Sequence, residues 1–229
     1  MLTSPVTWPN PLPWSSFPVI SHPHRCIFVA VPKTGSTSIR KVVGWPKRHH
    51  QDLMELKEDI PAYTNPTISL GKRLQILISP YARRHYIEET FSAYFKFGFV
   101  RNPWDRVVSL YNRKENAEQR QGMSFEQFVH WIQLSSDTCV HPSPHRYQLD
   151  WFKDQSGHVV ADYIGKFETI EKDWEYICNR LGISHPLAHE NSNDRNRRHY
   201  TEYYTDETAR IIGEKFREDV TYFNYRFGD

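Results

Sequence analysis

The stretch from Cys26 to Val43, CIFVAVPKTGSTSIRKVV, constrains the chain more than any other. An unbroken apolar run, Cys26 to Val31, stops at Pro32; Lys-Thr-Gly-Ser-Thr-Ser follows, and helical spacing begins at about Ser36. So short a run suits a strand buried on both faces of a parallel sheet. Gly35 lets the backbone turn tightly enough to aim successive N–H groups at one point. Such a point attracts an anion. The helix adds its unsatisfied N–H groups and positive dipole end, Ser36, Thr37 and Ser38 add hydroxyls, and Lys33 adds a full charge. The competing reading of the same letters is an ordinary strand-turn-helix whose Ser and Thr cap the helix. The familiar nucleotide loop, G-x-x-x-x-G-K-[ST], is not written here, because Lys33 precedes Gly35. The ammonium therefore moves to the mouth of the loop, which argues against a standard ATP- or GTP-hydrolysing site.

A second strand-to-helix junction is punctuated as sharply. Tyr94 to Val100 has the pattern of a strand and leads into Arg101-Asn102-Pro103-Trp104-Asp105-Arg106. Asn102 fits an N-cap, Pro103 the first helical position, and Asp105 a carboxylate in the first turn. Trp104, Val107, Val108 and Tyr111 then make a core-facing stripe, with Arg106, Ser109 and Arg113 on another face, where surface charge is the simplest reading of both arginines. Arg101 stands at the strand's carboxyl end, where open α/β sheets place ligand contacts.

Elsewhere the organisation is coarser. Residues 1–24 form a Pro-rich arm with Trp8 and Trp14, expected to be extended, and residues 25–229 form a single domain. The first helix ends near Gly44-Trp45-Pro46, and residues 47–74 are a polar excursion without assigned elements. Leu74 to Ser79 reads as a second short strand, Tyr81 to Tyr94 as a helix carrying Arg83, Arg84 and His85, and Ser124 to Leu134 as a helix capped by Ser124. Val159 to Gly165 reads as a strand, followed by a helix with Ile170, Trp174, Ile177, Cys178 and Leu181 on its core face and Gly182 as its stop. A last helix starts at about Asp206 and runs into Asp219 and an aromatic tail.

Composition excludes several classes. At 229 residues the chain holds one sizeable core, and 38% hydrophobic with 24% charged residues is globular. A net charge of +2 excludes a generally basic nucleic-acid binder, although Arg195, Arg197 and Arg198 cluster locally. Cys26, Cys139 and Cys178 are too few and unpaired for a disulfide framework, and Cys139, His141 and His145 in Pro-rich surroundings are poor metal ligands. No metal is expected. No apolar run has membrane-span length and no leader pattern opens the chain, so a soluble cytoplasmic protein is the expectation.

Three separated motifs then resemble one family. PKTGSTS resembles the 5′-phosphosulfate loop of sulfotransferases, and FVRNPWDRVVSLY their 3′-phosphate strand and helix. KFETIEKDWEYICNRLGI, His189-x-Asn191, Tyr200, Tyr203-Tyr204 and the closing EDVTYFNYRF resemble the tail of the carbohydrate-type, Golgi-related members and their bacterial relatives. The resemblance implies a P-loop-like three-layer α/β/α sandwich with a central, mostly parallel sheet. It implies transfer of the sulfuryl group of 3′-phosphoadenosine 5′-phosphosulfate (PAPS) to an acceptor hydroxyl, with 3′-phosphoadenosine 5′-phosphate (PAP) as product. By that similarity Lys33, Thr34, Gly35, Ser36, Thr37 and Ser38 hold the 5′-phosphosulfate, Arg101 and Ser109 the 3′-phosphate, and Asn191, Ser192 and Arg198 belong to a late loop over the nucleotide. Lys33 neutralises the leaving oxygen, and His85, sixteen residues before Arg101, takes the place of a general base. The acceptor is expected to be a carbohydrate or a small molecule. A non-catalytic nucleotide-binding module and a kinase-like phosphotransferase are the competing classes.

Overall fold

The computed structural model describes residues 19–43, 50–62, 64–112, 122–135, 146–184, 186–187 and 198–229. At its centre lies a sheet ordered β1 (Ile20–Ser21), β2 (Cys26–Val29), β3 (Phe95–Val100), β4 (Tyr163–Lys166). β1 is antiparallel to β2, whereas β2, β3 and β4 are parallel, Cys26 facing Phe95 and Phe97 facing Tyr163. Parallel register brings the carboxyl ends of three strands to one edge, and Pro32, Arg101 and Phe167 follow from it. β2 is buried along its whole length, as a parallel strand with both faces covered must be. Val19 to Ser21, within the Pro-rich arm, pairs along β2, and the Val19 carbonyl accepts from the Phe28 N–H at 2.8 Å. Residues 1–18 lie outside the described residues.

Helices α1 (Ser36–Val43), α2 (Leu53–Glu58), α3 (Leu70–Ile78) and α4 (Pro80–Ala93) make the crossover from β2 to β3. α5 (Pro103–Tyr111) and α6 (Phe125–Leu134) lead from β3 to β4, and α7 (Ile170–Leu181), α8 (Asp206–Lys215) and α9 (Arg217–Tyr222) follow. The architecture is α/β with a mostly parallel central sheet, of the P-loop-like α/β/α kind. None of the described helices is long and apolar enough to cross a membrane.

Local signals set several boundaries as expected. Asn102 caps α5 by accepting from the Trp104 N–H at 3.1 Å, Pro103 opens the helix, and Asp105 lies in its first turn. Ser124 caps α6, and Gly182 ends α7 in the left-handed conformation. β4 is shorter than the sequence pattern suggests: its ladder starts at Tyr163, and Val159 makes only an isolated bridge to Lys153.

Two expectations are corrected. Leu74 to Ser79 is not a strand: Leu74 to Ile78 is the second half of α3 and Ser79 its C-cap, because Ser69 caps a helix there, accepting from the Lys72 N–H, and the apolar spacing from Leu70 is helical. The final helix is two helices, α8 and α9, separated at Phe216, which is buried and leaves helical geometry at φ −109°, ψ 30°. Gly98 in mid-β3 meets a steric demand: a Cβ there would lie 2.5 Å from the Phe152 ring and 2.8 Å from the Val29 carbonyl oxygen. Phe152 packs over the strand because that side chain is missing.

Candidate active site at the carboxyl edge of the sheet

The loop after β2 is held in an unusual backbone shape. Lys33 has φ 68° and Gly35 φ 76°, so two residues separated by Thr34 occupy the left-handed region. Glycine does so freely; lysine does so at a cost and keeps it only where neighbours enforce it. The Thr34 hydroxyl donates to the Val31 carbonyl at 2.9 Å and closes the turn. A Cβ on Gly35 would press to 2.9 Å from the Phe167 ring, so the segment after β4 forms one wall. α1 starts at Ser36 with no acidic residue in its first turn, so no carboxylate of its own first turn offsets its positive end. Ser36 is buried, Ser38 half-buried and Thr37 exposed.

Enforcement comes from the next strand. Arg101 Nη1 donates to the Lys33 carbonyl at 3.3 Å, and Arg106 Nε donates to the Pro32 carbonyl at 3.1 Å. Both arginines are buried. Two successive loop carbonyls are thus tied to guanidinium groups. Arg101 is itself fixed: its Nε donates to Asp105 at 2.7 Å, and its guanidinium lies 4.1 Å from the Phe167 ring centroid. The sequence reading that leaves Arg106 as surface charge is corrected, since its side chain turns inward to the loop.

Behind these arginines stands a buried polar network that the sequence does not announce. Gln148 pairs with the Arg101 backbone, its Oε1 accepting from Arg101 N at 2.9 Å and its Nε2 donating to Arg101 O at 2.8 Å. Asp219 accepts from the Gln148 and Leu149 N–H groups at 2.9 and 3.0 Å. Burial pushes the Asp219 carboxyl up from its ordinary range, against those two N–H groups and the Arg106 charge. Glu168 accepts from the Asn102 N–H at 2.6 Å and the Tyr225 hydroxyl at 3.1 Å; burial raises it too, against those donors and Arg101.

The remaining expected residues are dispersed. Ser109 is half-buried in the last turn of α5. Arg198 lies 4.9 Å over the Tyr203 ring, whose hydroxyl accepts from Asn112 at the end of the same helix. Arg198 therefore stands at the Ser109 end of α5. Asn191 and Ser192 fall outside the described residues, as do Cys139, His141 and His145. No cluster of His, Cys, Asp and Glu suited to a metal occurs among the described residues. His85 is exposed on α4, where Nδ1 pairs with Glu89 at 3.1 Å, and it lines a groove of about 350 Å³ between α3 and α4. No wall of that groove comes from the loop or from α5. A histidine without a sequence signal lies nearer to the loop. His50 Nδ1 lies 2.7 Å from the Ala30 carbonyl, just past β2, and 3.2 Å from Arg40 Nη2; the tautomer that donates an N–H to the carbonyl, the shorter of the two contacts, carries its lone pair on Nε2.

Fold and loop together define an α/β protein of the P-loop-like class. The chain belongs to the sulfotransferase family, whose family model matches residues 18–226. Among relatives, carbohydrate sulfotransferase 10 of Xenopus laevis is 24% identical over 74% of this chain and 54% of its own length. Carbohydrate sulfotransferase 11 of Rattus norvegicus is 27% identical over 72% and 53%. An uncharacterized protein of Archaeoglobus fulgidus is 28% identical over 44% of this chain and 78% of its own. The chain spans about half the length of the carbohydrate sulfotransferases it matches. No solved structure matches it significantly.

Proposed function

We propose that the protein transfers the sulfuryl group of PAPS to an acceptor hydroxyl by in-line displacement, and that the acceptor is a carbohydrate. The observation that carries this reading is the loop at Lys33, held in a strained shape by two buried arginines from the neighbouring strand and helix. Strain that the surroundings enforce is a mark of pre-organisation. The family supports sulfuryl transfer, and the relatives' names support a carbohydrate acceptor.

The residues present fit such a nucleotide. Bound PAPS supplies a sulfuryl group already activated on a phosphate. Lys33, the amides from Thr34 to Ser38 and the Ser and Thr hydroxyls bind the 5′-phosphosulfate. Lys33 neutralises charge on the oxygen left behind when the sulfur–oxygen bond breaks. Arg101 and Ser109 take the 3′-phosphate, with Arg198, Asn191 and Ser192 closing over the nucleotide.

Calorimetric titration with PAP, with adenosine 5′-phosphate and ATP plus magnesium as controls, tests the reading. PAP should bind more tightly than adenosine 5′-phosphate, and Arg101→Ala should erase about tenfold to a hundredfold of that advantage. Preference for magnesium-ATP would turn the reading to a phosphotransferase, and PAP binding without turnover over a broad acceptor panel to a non-catalytic module.

The acceptor's proton needs a base. His85 is proposed from its place sixteen residues before Arg101, and His50 is the second reading, favoured by its position at the end of β2. Alanine at the true base should lower kcat by about 10²- to 10⁴-fold with PAP affinity kept. A normal rate in both variants would remove histidine from the mechanism.

A further inference from the structure

β4 ends at Lys166, and the 3-10 turn that follows, Phe167 to Thr169, is held on both sides of its first residue. The Lys166 N–H donates to Asp173 at 2.7 Å, and the Lys166 ammonium donates to the Phe223 carbonyl at 2.7 Å. On the other side the Glu168 carboxylate accepts from the Asn102 N–H at 2.6 Å and from the Tyr225 hydroxyl at 3.1 Å. The backbone at Phe167 is thereby pinned. Ile164 and Ile170 pack against the apolar core, whereas the half-buried Phe167 ring between them meets Gly35 and the Arg101 guanidinium.

One ring thus touches both places where PAPS would put negative charge. Gly35 comes this close because it has no Cβ, which would fall 2.9 Å from two ring carbons. The guanidinium lies 4.1 Å from the ring centroid on a side chain only 5% exposed, so the cation–π attraction acts with little screening by water. The direct tie between loop and arginine is slack by comparison. Arg101 Nη1 stands 3.3 Å from the Lys33 carbonyl, longer than the usual N–H···O range. Asp105 holds Nε at 2.7 Å, but it follows Arg101 by four residues and does not locate the guanidinium relative to the loop. Phe167 does, because the loop rests against the ring and the guanidinium lies over it. The two anions of one nucleotide have a fixed spacing, and subsites already held at that spacing cost less to fill.

We infer that Phe167 is a positioning residue that sets the spacing between the 5′ and 3′ anion subsites, acting through Arg101. This role rests on PAPS being the donor. Calorimetric titration of the full chain with PAP and with adenosine 5′-phosphate tests it in the wild type, Phe167→Leu, Arg101→Ala and the double variant. Phe167→Leu should weaken PAP binding about tenfold, the ring's hold on the guanidinium being lost. Affinity for adenosine 5′-phosphate should stay within about twofold of the wild type. Damage to the loop itself would instead weaken both nucleotides alike. Added to Arg101→Ala, Phe167→Leu should cost no further PAP affinity, since no guanidinium remains to be seated. Phe167→Met, which also lacks an aromatic face, should behave as the leucine variant does and replaces it if leucine lowers Tm sharply. The role is refuted if both variants bind PAP within about twofold of the wild type, if the two nucleotides weaken together, or if the losses at Phe167 and Arg101 add. A wild type that binds PAP no better than adenosine 5′-phosphate would overturn the donor reading itself, and this role with it.

Discussion

Lys33→Ala should lower sulfuryl transfer by about 10²- to 10³-fold, the loss typical of removing one group aimed at charge that develops in the transition state. The substitution isolates the ammonium from the loop's shape. The clamp on residue 33 acts through its backbone carbonyl, which receives the Arg101 hydrogen bond at 3.3 Å and is still present in alanine. Alanine meets the same penalty as lysine at φ 68°, so the backbone strain is unchanged. Lys33→Gly completes the experiment: it relieves the strain while also removing the charge, and it should be as inactive as Lys33→Ala yet no less stable than the wild type. Transfer rates with PAPS and a sulfate acceptor decide the matter. Undiminished transfer by the alanine variant would take Lys33 out of the chemistry.

The largest loss of stability is expected at Asp219, far in sequence from the loop. Asp219→Ala strands the buried N–H groups of Gln148 and Leu149, and it removes the carboxylate facing the buried Arg106. Breaking a buried charged network of this kind costs about 3–5 kcal/mol, which at this chain length lowers Tm by roughly 6–20 °C. Urea and thermal unfolding measure it. Because Gln148 orients the Arg101 backbone, the folded fraction of the variant should also bind PAP less tightly. A Tm within about 2 °C of the wild type would mean that the network is dispensable, since substitutions without a structural role stay near that range.

What the sequence makes legible is what neighbouring residues decide among themselves. The apolar run of β2, the glycine turn and the Asn-Pro-x-Asp start of α5 are local signals, and each lies where expected. α3 had such a signal as well, in Ser69 followed by apolar residues at helical spacing, but its face points to solvent, and an apolar run is more readily taken for core. Arg106 shows the opposite failure. Its place on a helix face suggests solvent, but distant groups hold it inward, among them a carbonyl 74 positions earlier and the carboxylate of Asp219. Gln148 and Asp219 carry no local mark at all, because their partners lie 47 and 71 positions away. His85 and His50 separate the two kinds of nearness: one stands shortly before β3 in sequence, the other beside β2 in space.

The two arginine clamps on the loop also bear on how a ligand there couples to folding. They join residues 68 and 74 positions apart, so the loop has its shape only after β3 and α5 have docked. An anion held at Lys33 is therefore linked to assembly of the whole domain and adds RT ln(1 + [L]/Kd) to its global stability, rather than to the stability of one turn. Thermal shift on titrating a nucleotide becomes a direct reading of occupancy at the loop.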